Sequence, residues 1–251
     1  MQSALNQFRI GIGRVRDLLA LHGSVKAQAT SALDVSDILR AALVLAVSAL
    51  DFYIHEVVTL GMLEIHRGQR SEPTPSANTT QSAFSRFQVS LGSARQDRLA
   101  AINIADWLEV EIQRTQGYAF LQESHKVSDL IPVISGSILS RLNDTAWLEN
   151  EIRERLGYQS FQQADKIADA IRYISDKKLW DEVADQMNRS ARDVKQQLNS
   201  VVDRRNKIAH EADIDPTFNI GNRWNIDEAM VSDAVSFIET LIESIHQVLM
   251  E

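Results

Sequence analysis

The stretch from Arg204 to His210 contains the residue types of an acid–base site for phosphate chemistry. Arg205 offers a planar guanidinium, Asn206 an amide and His210 an imidazole, all within about two helical turns. A guanidinium stabilises negative charge on a phosphate, and an imidazole exchanges protons near neutral pH. Together these groups can cleave RNA without a metal ion.

Charge is distributed unevenly along the chain. The net charge of -8 argues against a general nucleic-acid coat protein, because phosphate contacts need clustered Lys and Arg. Between positions 189 and 207, however, six basic residues and two acidic ones give a net charge of +4. The basic ones are Arg189, Arg192, Lys195, Arg204, Arg205 and Lys207, and the acidic ones are Asp193 and Asp203. We interpret Arg204 and Lys207 as RNA-binding residues that position phosphate, with simply solvated charges as the alternative.

Other kinds of site are disfavoured by the sequence. The chain has no cysteine, so disulfides, thiolate metal sites and cysteine nucleophiles are excluded. His55-Glu56 begins like the zinc motif HExxH, but Thr59 occupies the second histidine position. We predict no metal and no cofactor. Without a signal-peptide pattern, and with an apolar run of only ten residues at Ala41–Leu50, we expect a cytoplasmic protein with no membrane partner.

Apolar residues recur with helical spacing throughout, which predicts an all-α fold with long central helices. We predict helices over residues 3–21, with an end near Gly23, from Asp34 or Ser36 to about His66, from a cap at Ser190 to about 212, and over 227–250. The second of these should be central, because it is apolar on nearly all sides around Ala41–Leu50. The inward face of the last helix should consist of Val231, Val235, Ile238, Leu241, Ile242 and Ile245.

Two charged residues fall on otherwise apolar helix faces. Arg205 interrupts a seam that consists of Ala191, Val194, Leu198, Val201, Ile208 and Ala212. Asp51 points to the same face as Val47 and Ile54, and a buried carboxylate needs a partner. Asp51 either pairs with His55 or a nearby arginine for structure alone, or supports the catalytic arginine or histidine.

An internal repeat with a period of 40 residues occupies the middle of the chain. Eleven of the 25 positions from 107 to 131 recur at 147–171, including Trp107-Leu108-Glu109 as Trp147-Leu148-Glu149. Each copy predicts a helical hairpin with a glycine break and a tyrosine-containing turn. We interpret the tryptophans and tyrosines as packing anchors, with base stacking as the alternative.

The motif Arg205-Asn206-Lys207-Ile208-Ala209-His210, on the penultimate long helix, resembles the Arg-x4-6-His signature of the HEPN superfamily. Gly157-Tyr158-Gln159-Ser160-Phe161, Lys166-Ile167-Ala168-Asp169 and Ala46-Val47-Ser48-Ala49-Leu50-Asp51 resemble its RiboL-PSP-HEPN branch. The resemblance covers roughly residues 35–249 and departs from the family pattern in the extra repeat copy.

This resemblance implies a metal-independent endoribonuclease in a HEPN-like helical bundle, of the kind that serves as a toxin or antiviral effector. It implies catalytic roles for Arg205, His210 and Asn206, a homodimer, and an RNA substrate such as tRNA or other single-stranded RNA. The position of Asp51 on an apolar helix face makes it the candidate for supporting these residues. An antitoxin or regulatory protein is a further expected partner. We expect residues 1–67 to be N-terminal bundle helices, 68–83 a flexible loop, 84–144 a helical insertion with the first repeat copy, and 145–251 the second copy and the C-terminal helices.

Helix geometry limits how Arg205 and His210 can form one active site. At 100° per residue, Arg205 and His210 point about 140° apart, so one helix does not bring them together. Either a second subunit completes the site or the helix ends before His210. Three alternatives stay open: a salt bridge between Arg205 and Asp51 with His210 merely ending the helix, a non-catalytic HEPN module that binds nucleotide, RNA or a protein, and a helical scaffold that recruits a partner.

Overall fold

The computed structural model describes residues 1–28, 30, 33–75, 81–87, 100–143, 145–217 and 221–251. Within them the fold is all-α, as predicted, apart from one isolated antiparallel bridge between Ile214 and Arg223. The helices are α1 (Gln2–Gln28), α2 (Ser36–His66), α3 (Ala100–Gln116), α4 (Tyr118–Gln122), α5 (Val127–Asn143), α6 (Thr145–Gly157), α7 (Ala164–Ile171), α8 (Leu179–Gln186), α9 (Ala191–Glu211) and α10 (Glu228–Met250).

The chain forms two compact units. The first consists of Met1–Phe84 and Gln159–Glu251, and the second is Ser85–Tyr158. The second unit therefore holds the whole first repeat copy and the first part of the second. The predicted loop 68–83 and insertion 84–144 extend over positions 76–80, 88–99 and 144, which lie outside the described residues.

Helix α2 is the centre of the first unit, as predicted. It packs against α1, α10, α9 and α7, and 16 of its 31 residues are buried. The helix is long and apolar enough to cross a membrane by length and composition, with half of its most apolar window buried in the protein. Its apolar side chains form the core of the unit, so the segment that carries Asp51 is held from several sides.

Two other helices of the first unit were predicted in outline. The inward face of α10 is confirmed, because Val231, Val235, Ile238, Leu241, Ile242 and Ile245 are all buried. Helix α1 runs to Gln28, so the prediction that it ends near Gly23 is wrong. A glycine costs only about 1 kcal/mol inside a helix, and the buried His22 beside it continues the packed face of α1.

The tryptophan and tyrosine positions of the repeat differ in burial. Trp147 is buried, which agrees with a packing role, whereas Tyr118 and Tyr158 are exposed. Tyr158 is 81% exposed, so the interpretation of the tyrosines as packing anchors is wrong. In both copies the tyrosine follows a glycine at a helix boundary, where no neighbouring helix covers its ring in the described part of the chain.

The repeat copies differ in the burial of matching apolar positions. Ile167 and Ile171 of the second copy are buried in the first unit. Their counterparts in the first copy, Val127 and Ile131, are 72% and 57% exposed. Similar sequences thus acquire different surroundings, because only the second copy packs its α7 against α2, α8 and α9.

Close packing around Gly61 generates a stability prediction. A Cβ at Gly61 would lie 2.7 Å from the Ile174 Cγ2 atom and 2.9 Å from its Cβ. Ile174 is buried and β-branched, so it cannot easily turn aside. We expect Gly61→Ala to lower the free energy of unfolding by about 1–3 kcal/mol, as measured by urea denaturation.

Gly13 in α1 provides the matched control. Among the described residues, none outside its own helix lies within 4 Å of a Cβ built there. Gly13→Ala should therefore raise the free energy of unfolding by about 0.5–1 kcal/mol, since alanine is the better helix former. Equal effects of the two substitutions would contradict the close contact between α2 and Ile174.

A buried histidine makes the stability depend on pH. His246 is buried in α10, and its Nδ1 atom lies 3.1 Å from the Tyr53 hydroxyl. Burial lowers the pKa of His246 below its ordinary value of 6.5. The unfolded chain therefore binds a proton more readily at this residue, and this contribution to stability is lost as the pH falls below about 6.5.

The contribution of His246 can be isolated with His246→Gln. Glutamine offers Tyr53 a hydrogen-bond partner but does not titrate. We expect the free energy of unfolding of the wild type to decline more steeply between about pH 7 and pH 5 than that of the variant. The free energy of unfolding is measured by urea denaturation at each pH. If it depends on pH equally in the wild type and the variant, the lowered pKa of His246 is contradicted.

Candidate active site on α9

Helix α9 carries the whole motif in regular helical conformation. The Ser190 Oγ atom accepts a hydrogen bond from the Asp193 amide at 3.1 Å, so Ser190 caps the helix as predicted. The helix continues to Glu211. The alternative in which it ends before His210 is therefore wrong, and the two motif residues diverge as helix geometry requires.

Arg205 lies on the inward side of α9, on the face of the buried Val194 and Leu198. The buried seam continues with Val202 in place of the predicted Val201, and Ala212 is exposed. Arg205 itself is half-buried, and its Nε atom is buried with no hydrogen-bond partner among the described residues.

The remaining motif residues lie towards the outside. The Arg205 Nη1 atom donates to the Asn206 Oδ1 atom at 2.9 Å, which holds the guanidinium and leaves the Asn206 amide hydrogens for another acceptor. His210 is exposed in the last turn. The Lys207 Nζ atom lies 4.6 Å from the Trp224 ring centroid, a cation–π contact.

Asp51 has partners other than the motif. Its carboxylate accepts hydrogen bonds from the Phe161 amide at 2.6 Å and from Gln162 Nε2 at 3.0 Å. The His55 Nε2 atom lies 3.8 Å away, which agrees with the structural reading of this carboxylate. Asp51 and Arg205 form no salt bridge, so the alternative in which they pair is wrong. Asp51 instead fixes the segment before α7 to α2.

Arg204 is half-buried and is held by a buried carboxylate and by backbone carbonyl oxygens. Its Nη1 and Nη2 atoms donate to the Asp213 carboxylate, the latter at 2.9 Å. Nη2 also contacts the carbonyl oxygens of Trp224 and Asn225 at 3.3 and 3.1 Å. The predicted contact between Arg204 and RNA would have to compete with these bonds.

Asp213 completes an ion cluster that the sequence did not reveal. The residue is fully buried, and Arg40 from α2 donates from Nε to its Oδ2 atom at 2.7 Å. Arg40 also donates to the Trp224 carbonyl at 3.0 Å. The one signal in the sequence was Arg40 itself, a charge at the edge of the apolar run of α2.

The backbone after α9 turns sharply to bring Asp213 into place. Ala212 and Asp213 have φ angles of 51° and 59°, in the left-handed region that disfavours residues other than glycine. The Asp213 amide donates to the Lys207 carbonyl at 3.0 Å. The two arginines thus hold a strained turn that closes the end of α9 directly behind His210.

The exposed side of α9 forms a polar groove. Its volume is about 480 Å³, and its lining side chains include Arg192, Lys195, Gln196, Asn199, Ser200 and Asp203. Within the described part of the chain, no cluster of three or more His, Asp or Glu residues could hold a metal ion.

Comparison with known proteins identifies the family. The profile of the RiboL-PSP-HEPN family matches residues 12–251. The chain belongs to the RiboL-PSP-HEPN family. The resemblance predicted from the motif and its flanking segments is thereby confirmed at the level of the family, and the HEPN match extends across the second unit as well. No curated protein and no solved structure matches the chain.

The ion cluster around Asp213 generates a stability prediction. Removing the charge of Asp213 would leave the buried Arg40 with only the exposed carboxylate of Asp37, 3.5 Å away, as an anionic partner, and would leave Arg204 with backbone carbonyl oxygens alone. We expect Asp213→Asn to lower the free energy of unfolding by about 3–5 kcal/mol, measured by urea denaturation.

Asp169→Asn is the matched control. It removes the same charge from an exposed i,i+3 pair with Arg172 at 2.7 Å. Exposed pairs of this kind contribute at most about 1 kcal/mol. A similarly small effect at Asp213 would show that the buried cluster does not hold the end of α9.

Proposed function

We propose that this HEPN protein is a metal-independent endoribonuclease whose site is centred on Arg205 and His210. One observation carries the proposal: a continuous helix presents a half-buried arginine and a solvent-exposed histidine, five residues apart, at a helix end held by buried ion pairs. Membership in the HEPN family supports it. Positioned groups of this kind suit a reaction that needs proton transfer and stabilisation of a charged phosphate.

The divergence of the two side chains argues for a composite site. Arg205 faces the interior of its own subunit and His210 faces solvent, about 140° away around the helix. A homodimer in which the two α9 helices approach each other would form a cleft that His210 of one subunit and the long, half-buried Arg205 side chain of the other can both reach. A twofold axis near His210 would produce this arrangement, because the same surface of each subunit would then form both halves of the interface.

The chemistry follows from the residue types. His210 removes the proton from a ribose 2'-hydroxyl, and the 2'-oxygen attacks the adjacent phosphorus. The bond from phosphorus to the 5'-oxygen breaks, and His210 of the partner subunit donates a proton to that leaving oxygen. The products are a 2',3'-cyclic phosphate and a 5'-hydroxyl.

Arg205 and Asn206 would act on the phosphate. The Arg205 guanidinium stabilises the negative charge that accumulates on the phosphate oxygens in the transition state. Asn206 holds that guanidinium through its Oδ1 atom and can donate its amide hydrogens to a phosphate oxygen. Lys207, stacked on Trp224, would contribute positive potential from the side.

The biological setting belongs to the same proposal. An RNA-cleaving HEPN protein suits the role of a toxin or antiviral effector in the cytoplasm, acting on tRNA or other single-stranded RNA. Such an activity requires restraint, which an antitoxin or other regulatory protein would supply.

The second candidate function is a non-catalytic HEPN module that binds nucleotide, RNA or a protein partner. The observation in its favour is the same divergence, because Arg205 and His210 of one subunit do not converge. In that case Arg205→Ala and His210→Ala would weaken binding, while the wild type would cleave no RNA with any partner added.

The proposed activity is tested by sequencing RNA 5'-hydroxyl ends after induction of wild type or His210→Ala. We expect new 5'-hydroxyl ends only with the wild type, because loss of the general base reduces the rate by about 10²–10⁴-fold. His66→Ala, which removes another exposed histidine in the last turn of a long helix, is the matched control and should cleave normally. Identical end profiles for wild type and His210→Ala would reject the proposal.

A mixing experiment tests the composite site. Wild type and His210→Ala are unfolded together in equal amounts and refolded, so that subunits exchange at random. If both imidazoles serve one site, only wild-type homodimers are active. The mixture then has about one quarter of the activity of the same total amount of wild type. Retention of about one half would mean that each subunit acts alone.

A further inference from the structure

The polar groove on α9 runs along the same side of the helix as His210. Arg192, at the start of the groove, lies 18 residues before His210, which is about five turns of α-helix and 27 Å. Asn199 and Asn206 lie between them on nearly the same face. The groove and the candidate catalytic histidine therefore form one continuous polar stripe.

The side chains of the groove offer donors to phosphate oxygens. Arg192 and Lys195 make no hydrogen bond or ion pair with any described residue. The Asn199 Oδ1 atom accepts from the Ala164 amide at 3.2 Å, so its amide hydrogens remain available. Large apolar side chains are absent from the lining, which disfavours the docking of an apolar helix.

One carboxylate lies in the groove. Asp203 is exposed at the end nearest the motif and repels phosphate at that point. Its oxygens can accept hydrogen bonds from ribose hydroxyls or base amino groups. Together with Arg192 and Lys195, the groove keeps a net charge of +1 in a chain of net charge -8.

A neighbouring cavity of about 640 Å³ has the opposite electrostatic character. It is lined by Ala184, Asp185, Asn188, Arg189, Ser190 and Asp193, so two carboxylates face one guanidinium. The guanidinium of Arg189 donates to the Gln197 Oε1 atom at 2.6 Å and lies 5.8 Å from the Phe237 ring centroid. This cavity therefore disfavours phosphate.

We infer that the α9 groove is the track on which the sugar–phosphate backbone of single-stranded RNA lies on its way to His210. The inference rests on the proposed function and assigns Arg192 and Lys195 as phosphate-binding residues. Asn199 and Gln196 add hydrogen bonds, and Asp203 sets the position at which a phosphate is disfavoured. Flexible single strands fit a groove of this kind better than a rigid duplex does.

The test is RNA binding at several salt concentrations, in the His210→Ala background so that the RNA stays intact. The probe is a fluorescein-labelled, mixed-sequence single-stranded RNA of about 20 nucleotides, and the readout is fluorescence anisotropy. Each phosphate contact contributes about 0.7 to the slope of log K against log salt for single strands. Arg192→Ala/Lys195→Ala should therefore reduce the magnitude of the slope by about 1.4.

Two further variants control for total charge. Arg14→Ala/Lys26→Ala removes the same charge from exposed positions of α1, which packs on α2 and α10, and should leave the slope unchanged. Asp203→Asn should tighten binding by up to about fivefold, because it removes the repulsive carboxylate.

The outcomes separate this inference from the proposed function. An unchanged slope in the α9 variant, or an equal change in the α1 variant, would overturn the track whether or not the wild type cleaves RNA. Loss of the dimer in light scattering with an unchanged slope would assign the groove to a protein interface and would also overturn it. A smaller slope without RNA cleavage by the wild type would support the track and count against the nuclease.

Discussion

The buried carboxylate of Asp213 connects the two helices on which the candidate site depends. Arg40 reaches it from the start of the central helix α2, and Arg204 reaches it from the motif helix α9. A charge without solvent must be paired, so neither helix end can move without exposing an uncompensated ion. The strained backbone at Ala212 and Asp213 persists because these bonds hold it. The end of the helix that carries the motif is thus held by interactions that lie just after His210 in the chain.

This arrangement gives neighbouring arginines different tasks. Arg204 is saturated by Asp213 and backbone carbonyls, whereas Arg205 has only Asn206 among the described residues and a buried Nε without a partner. Desolvation with incomplete pairing keeps a guanidinium ready for an external anion, because binding that anion recovers hydrogen bonds that the protein does not supply. A well-paired arginine and an under-satisfied one, both half-buried, therefore lie side by side. That contrast favours a functional role for Arg205 over a purely structural one.

In the proposed homodimer, a twofold axis would combine two copies of α9 into one active site. One α9 presents His210 to solvent and keeps Arg205 on its inner side, so a single subunit holds the chemical groups but not their convergence. A second copy would supply the missing groups from the same surface, and the polar stripe along α9 would lead substrate to the junction. The positive potential that RNA requires is needed only locally. A chain of net charge -8 can therefore bind RNA if basic residues are concentrated along this one helix.

The sequence by itself determined the helical class, the central position of α2, the inward face of α10 and the helix on which Arg205 and His210 lie, because apolar periodicity records which side of a helix is buried. It did not determine which neighbour each side meets. Asp51 bonds to Phe161, 110 residues away, instead of Arg205, and Arg40 meets Asp213 across 173 residues. Likewise, Ile171 is buried while its repeat counterpart Ile131 is exposed. Only the tertiary structure decided these partners, because the pairing of distant charges and faces depends on how helices pack, and local spacing does not encode that.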